Sequence, residues 1–61
     1  MKDLVLVIQE NYDGTYTVAE PVDREYWGVD YMGISEGATV EEAKAKAKEK
    51  LPDYRLSFQY N

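Results

Sequence analysis

The 61-residue sequence contains no cysteine and no histidine. It therefore has no disulfide, no usual zinc site and no Ser–His or Cys–His nucleophile pair. Its longest apolar run, Leu4–Ile8, is far shorter than the about 20 residues that cross a bilayer. We expect a protein that is not an enzyme, uses no cofactor or metal, does not enter a membrane and resides in the cytoplasm.

The charge is unevenly divided along the chain. Twelve acidic residues against seven basic ones give a net charge of −5. Residues 1–38 carry eight acidic and two basic residues, a net charge of −6, whereas residues 39–61 carry +1. An acidic surface repels phosphate and attracts basic proteins, so we expect a basic protein partner and no direct contact with nucleic acid. The alternative is that the acidity only keeps a small domain soluble.

Residues 1–61 show no linker or repeat, which predicts a single domain. Leu4–Ile8 is apolar and β-branched, which indicates a strand buried on both faces or nearly so. Asn11–Gly14 supplies the turn of a hairpin, and the alternating residues Thr15–Glu20 follow as a second strand. Pro21 cannot donate a ladder hydrogen bond, so it either ends this strand or lies on an edge. A third strand is expected somewhere within residues 26–34.

A helix is predicted from Thr39 onwards. Thr39 is a good N-cap, Glu42 completes a capping box, and Pro52 ends the helix. A narrow apolar stripe at helical spacing consists of Val40, Ala43, Ala47 and Leu51. Four lysines (44, 46, 48 and 50) form either a phosphate-binding stripe or a solvated face, and the interleaved glutamates favour the solvated face.

The last strand alternates strictly, with large apolar residues on one face. These residues are Tyr54, Leu56, Phe58 and Tyr60. The element order β-β-β-α-β predicts an α+β fold, an antiparallel sheet with one helix on one face. A marginal core without disulfides, next to an apolar terminal strand, leads us to expect a homo-oligomer.

An acidic-aromatic segment precedes the helix and is the candidate partner-binding site. Its residues are Asp23, Glu25, Tyr26, Trp27, Asp30 and Tyr31. Tyrosine and tryptophan anchor interfaces well because they bury a large area with few torsions, and neighbouring carboxylates suit a basic partner. The alternative is that these rings fill the core.

Two stretches resemble the HicB-like antitoxin family. Asp13-Gly14-x-Tyr16-x-Val18, followed by Pro21, looks like the family's second strand. Residues 35–43, Ser-Glu-Gly-x-Thr-Val-Glu-Glu-Ala, resemble its approach to the single helix. The resemblance implies a partial RNase-H-like fold and a non-catalytic protein that covers the active surface of a small basic RNA-cleaving toxin. The acidic-aromatic segment departs from the family pattern by about seven extra residues.

Three functional hypotheses remain open at this point. The first is an antitoxin-like inhibitor of a basic nuclease or toxin. The second is a phage-type anti-defence inhibitor, such as an anti-CRISPR protein, whose carboxylates imitate nucleic-acid phosphates. The third is a structural or assembly subunit that uses the edge of its last strand. All three predict the same acidic chain without histidine or cysteine, so the sequence does not choose among them.

Overall fold

The computed structural model describes residues 2–24 and 28–60, which form one sheet and one helix. In chain order the elements are β1 (Lys2–Glu10), β2 (Tyr16–Arg24), β3 (Gly28–Gly37), α1 (Val40–Lys50) and β4 (Tyr54–Tyr60). The predicted order β-β-β-α-β and the α+β class are confirmed. The third strand overlaps the expected region and extends three residues beyond it, to Gly37.

The sheet is mixed, so the prediction of an antiparallel sheet is wrong for one strand. The spatial order is β3-β2-β1-β4, and β4 runs parallel to β1 while the other two pairs are antiparallel. The cause is the connection through α1, which carries the chain from one edge of the sheet to the other. Such a crossover delivers a strand in the parallel direction, whereas a tight turn reverses the chain.

The turn between β1 and β2 forms where the sequence predicts it. Gly14 has a φ of 85°, which is accessible to glycine at little cost, and its N–H donates to the Asn11 carbonyl at 3.2 Å. The Asn11 N–H in turn donates to the Thr15 carbonyl at 2.8 Å. Asp13 Oδ1 accepts hydrogen bonds from both the hydroxyl (2.6 Å) and the N–H (3.1 Å) of Thr15. These hydrogen bonds hold the pKa of the Asp13 carboxyl below its ordinary value.

The helix begins and ends as predicted. Thr39 Oγ1 accepts a hydrogen bond from the Glu42 N–H at 3.1 Å, and Leu51 is the C-terminal cap before Pro52. Ala43 and Ala47 are fully buried, whereas the outer members of the predicted stripe are only partly buried. Two alanines on the inner face allow the helix to lie close to the sheet. The fully or nearly buried core consists of Leu6, Ile8, Val18, Ala43 and Ala47.

The helix packs mainly on β3 and β2, and β3 is adapted to its close approach. A Cβ on Gly37 would lie 2.7 Å from the backbone nitrogen of Ala43, so only glycine fits there without a shift. The buried Ser35 hydroxyl donates to the Ala43 carbonyl at 2.8 Å. The pairing with β2 shifts between Ser35 and Gly33, so Ile34 is an extra residue and packs against the core beside Ser35.

Only one face of β1 is buried, which corrects the expectation of burial on both faces. Leu6 and Ile8 face the helix side of the sheet and are buried, while Val5 on the opposite side is 43% exposed. Val7 is half-buried. A single helix covers a single side, and in the described residues no second layer lies over the other side. None of the described helices is both long and apolar enough to cross a membrane.

Candidate partner-binding site: the hairpin arm

The outer half of the β2–β3 hairpin is a two-stranded ribbon. Strand β2 pairs with β1 only over residues 16–19, whereas it pairs with β3 along its whole length. Beyond Ala19 the described part of β2 therefore has β3 as its one partner. We call residues 20–24 and 28–32 the hairpin arm. Two-stranded ribbons are more twisted and more open to solvent than the interior of a sheet.

Pro21 fits this arrangement. The sequence left open whether it ends the second strand or lies on an edge, and β2 continues through it to Arg24. Pro21 is opposite Tyr31 of β3, at a position where β1 no longer pairs with β2. A residue without an N–H is tolerated there because the outer side of the strand needs no donor.

The arm displays large apolar side chains. Tyr31 is 43% exposed and Met32 is 56% exposed. Together with Val22 and Asp30 they line a shallow surface hollow. Strand alternation places Val22, Asp30 and Met32 towards one face of the ribbon and Tyr31 towards the other. The arm therefore offers apolar groups on both of its faces, with a carboxylate beside them.

Asp30 is held by the arm itself. Its Oδ1 accepts a hydrogen bond from the N–H of Tyr31 at 2.9 Å, and the residue is exposed. This local bond to the backbone fixes the direction of the carboxylate. A charged group that is already oriented loses less conformational freedom when a partner binds.

Three of the six predicted site residues belong to the hairpin arm. Asp30 and Tyr31 lie in β3, and the backbone of Asp23 lies in β2 opposite Val29. Glu25, Tyr26 and Trp27 lie outside the described residues. The structure thus assembles part of the predicted site on one hairpin, and Tyr31 is on the surface rather than in the core.

Met32 and Val22 were not predicted as site residues. Both line the hollow beside Asp30, and Met32 is the more exposed. The period of two in a strand identifies Met32, because residues 30 and 32 share a face once residues 28–37 are known to be a strand, and Val22 is identified by its pairing with Asp30. That signal was not usable while the bounds of the third strand were unknown.

Three of the four helix lysines contact groups of the protein itself. Lys46 Nζ lies 3.2 Å from Glu42 Oε1 and 3.1 Å from the Glu36 carbonyl oxygen. Lys50 Nζ donates to the Ile34 carbonyl at 2.6 Å. Lys44 Nζ lies over the Phe58 ring, 5.2 Å from its centroid. These contacts favour the interpretation of the lysine run as a structural, solvated face.

In the parts of the chain that the structure describes, no three acidic side chains are grouped closely enough to hold a metal ion. Comparison with protein-family models, with curated proteins and with solved structures finds no match for this chain. The functional argument therefore depends on the residues themselves and on the geometry of the hairpin arm.

Proposed function

We propose that the protein is a non-enzymatic, acidic protein-binding module of the cytoplasm. In this proposal it acts as an antitoxin-like inhibitor and covers the active surface of a small basic nuclease or toxin. The observation that carries the proposal is the hairpin arm, a two-stranded ribbon with exposed Tyr31 and Met32 beside an oriented Asp30 carboxylate. The resemblance of residues 13–21 and 35–51 to HicB-like antitoxins supports the same function.

The charge of the arm's half of the chain suits a basic partner. Residues 1–38 hold a net charge of −6. Carboxylates at the rim of an interface mainly raise the association rate, and buried rings mainly slow dissociation. The arm combines both kinds of group within a short stretch of strand.

The first experiment compares three baits in a pull-down from the native host, with captured proteins identified by mass spectrometry. The baits are the wild-type chain, the arm variant Tyr31→Ala with Met32→Ala, and the control Tyr12→Ala. Tyr12 is a fully exposed ring in the β1–β2 turn, outside the arm. We expect a small basic nuclease that the wild type and the control capture and inhibit, and that the arm variant does not.

With the purified partner, the contribution of the aromatic ring to affinity can be separated from that of the carboxylates to the association rate. Trp27→Ala should cost about 2 kcal/mol or more of binding free energy if the ring is an anchor. Asp23→Asn together with Glu25→Gln should mainly slow association at low salt. The proposal is contradicted if binding is unchanged in the Trp27 variant and in the charge variant, or if the partner is not basic. Circular dichroism on each variant checks that loss of binding is not loss of fold.

The neighbouring genes separate an antitoxin from an anti-defence inhibitor. An adjacent small basic reading frame with a lone catalytic histidine supports the antitoxin. If the captured protein is a host defence nuclease that is encoded elsewhere, the antitoxin hypothesis is wrong and the protein is a nucleic-acid mimic.

A further inference from the structure

The two edge strands of the sheet are treated differently. At the β3 edge, Lys46 and Lys50 donate to the carbonyl oxygens of Glu36 and Ile34. The irregular pairing at Ile34 interrupts the ladder in the same region. Lysine side chains and bulges are two of the usual means by which proteins prevent an edge strand from pairing with another chain. The β3 edge is therefore protected along its helix-covered half.

The β4 edge is not covered in this way: in the described residues the lysine-to-carbonyl bonds are on β3, and Lys44 lies over the Phe58 and Tyr60 rings on the helix side of the sheet. Strand β4 pairs with β1 in an unbroken register over seven residues, from Tyr54 to Tyr60, and in the described residues no strand lies on its other side. Its one charged residue, Arg55, pairs in register with Asp3 of β1, and its Nε lies 3.7 Å from Asp3 Oδ1 in an exposed ion pair. Tyr60 remains 68% exposed. A long, regular, largely apolar edge of this kind favours strand addition.

The sequence of β4 is close to a palindrome. It reads Tyr-Arg-Leu-Ser-Phe-Gln-Tyr, centred on Ser57. In an antiparallel pair of two such strands with Ser57 on the two-fold axis, each position meets its mirror position. The opposed pairs are Tyr54 with Tyr60, Arg55 with Gln59, Leu56 with Phe58, and Ser57 with itself.

We propose that the protein forms a two-fold symmetric homodimer in which the β4 edges of two copies pair antiparallel about Ser57. The pairing joins two four-stranded sheets into one of eight strands. This contact is isologous, so it closes at two copies and leaves the protected β3 edges at the outside. The dimer is independent of the proposed function, because it uses the β4 edge of the sheet, whereas the hairpin arm includes the β3 edge.

The register about Ser57 is selected by the residues. If the two strands were offset by one residue, Arg55 of one copy would lie opposite an apolar residue that faces the helix. Opposed residues share a face of the sheet, so polar and apolar side chains would then meet on the same face. A two-residue shift keeps the faces but loses two of the seven pairs. Centred on Ser57, the register keeps all seven, avoids opposing two arginines, and sets the partly buried Leu56 and Phe58 against each other on the helix side. Cross-strand apolar pairs of this type stabilise sheets.

The test places a charge on the axis. Ser57 is exposed on the side of the sheet away from the helix, so Ser57→Lys and Ser57→Glu are compatible with the folded monomer. In the dimer each variant opposes two like charges across adjacent strands, which should raise the dissociation constant about fivefold or more. Mixing the two variants opposes unlike charges, and association should return. The matched controls are Met32→Lys and Met32→Glu, which place the same charges on the hairpin arm.

Sedimentation velocity at micromolar concentration gives the readout. We expect the wild type and both Met32 variants at about 14 kDa, twice the 7.0 kDa of one chain. Each Ser57 variant alone should shift towards one chain, and their mixture should return to two. A wild type that stays at 7.0 kDa overturns the proposal. So does a dimer that is insensitive to the Ser57 charges or is broken by the Met32 charges.

A covalent test covers the case in which a charged variant fails to fold. The chain has no cysteine, so Ser57→Cys introduces a single thiol. Opposed residues of an antiparallel pair have Cα atoms about 4.5–5.5 Å apart, which lies within the range that a disulfide spans. Mild oxidation should convert Ser57→Cys to a covalent dimer within minutes, and the exposed control Tyr12→Cys much more slowly. Equal rates for the two variants would overturn the proposed register.

Discussion

Strand β3 takes part in two regions that differ in burial: residues 35–37 contact α1, and residues 28–32 belong to the hairpin arm. At the contact, which we call the helix seam, Gly37, Ser35, Ala43 and Ala47 are buried and the backbones lie close together. In the hairpin arm, Tyr31 and Met32 are exposed. We infer that stability is concentrated at the seam, whereas the arm contributes little to the fold and is available for a partner.

The largest effect is expected at Gly37. In Gly37→Ala the new Cβ would lie 2.7 Å from the Ala43 nitrogen, and a backbone atom cannot move aside without shifting the helix. We expect a loss of about 2–3 kcal/mol in the free energy of unfolding, measured by urea denaturation. Gly33→Ala is the matched control, because a Cβ there meets nothing within 4 Å. It should be neutral or slightly stabilising. Equal losses for both variants would contradict the close approach at the seam.

Ala47→Leu tests the seam from the helix side. Ala47 is fully buried against the sheet, so three extra carbon atoms must displace the helix, at a cost of about 1–3 kcal/mol. Ala45→Leu makes the same substitution on the exposed side of the same helix. The change in helix propensity is the same in both variants, so the difference between their melting temperatures reports the packing cost at residue 47. A smaller loss for Ala47→Leu than for Ala45→Leu would show that the helix does not lie against the sheet.

Ser35→Ala removes the hydrogen bond between strand and helix. The buried hydroxyl donates to the Ala43 carbonyl at 2.8 Å, and we expect a loss of about 1 kcal/mol. Ser57→Ala, which is exposed in the single chain, serves as the control at concentrations low enough to keep the protein monomeric, and it should change the free energy of unfolding by less than about 0.5 kcal/mol. If Ser35→Ala is as harmless as its control, the hydroxyl does not link the two elements.

In the hairpin arm, Tyr31→Ala should leave the fold nearly unchanged. The ring is 43% exposed and does not belong to the core cluster, so we expect less than about 1 kcal/mol in urea denaturation. The same variant should weaken binding to the partner. A large loss of stability would place Tyr31 in the core after all and would remove the contrast between seam and arm.

The smallest effect concerns the β1–β2 turn and depends on pH. Hydrogen bonds from Thr15 lower the pKa of Asp13 in the folded state. A carboxyl with a lowered folded pKa stabilises the fold above its unfolded pKa of about 4, and this contribution is lost as the pH falls through the folded value. Wild type and Asp13→Asn should therefore differ in melting temperature at pH 7 and converge towards pH 2. A constant difference over this range would show that the carboxylate charge is not involved.

Local signals in the sequence are sufficient for the turn and the helix. The turn forms because the Asn11 amide donates to the Thr15 and Thr17 hydroxyls and Gly14 is free to take a positive φ. Thr39 and Pro52 bound the helix for reasons that lie within a few residues of each end. The alternation of β4 is likewise visible in seven letters. The candidate site could be located as a segment, since its aromatic and acidic residues are neighbours in sequence.

The pairing and burial of the strands depend on the tertiary structure. The parallel place of β4 beside β1 and the one-sided burial of β1 depend on segments far apart in sequence, and the continuation of β2 through Pro21 depends on its pairing with β3. The exposed surface of the arm follows from the same cause, because β1 leaves β2 after Ala19. Local patterns specify which residues are able to form a strand. The place of β4 is chosen by contacts between distant segments, and these exist only once the helix has crossed the sheet.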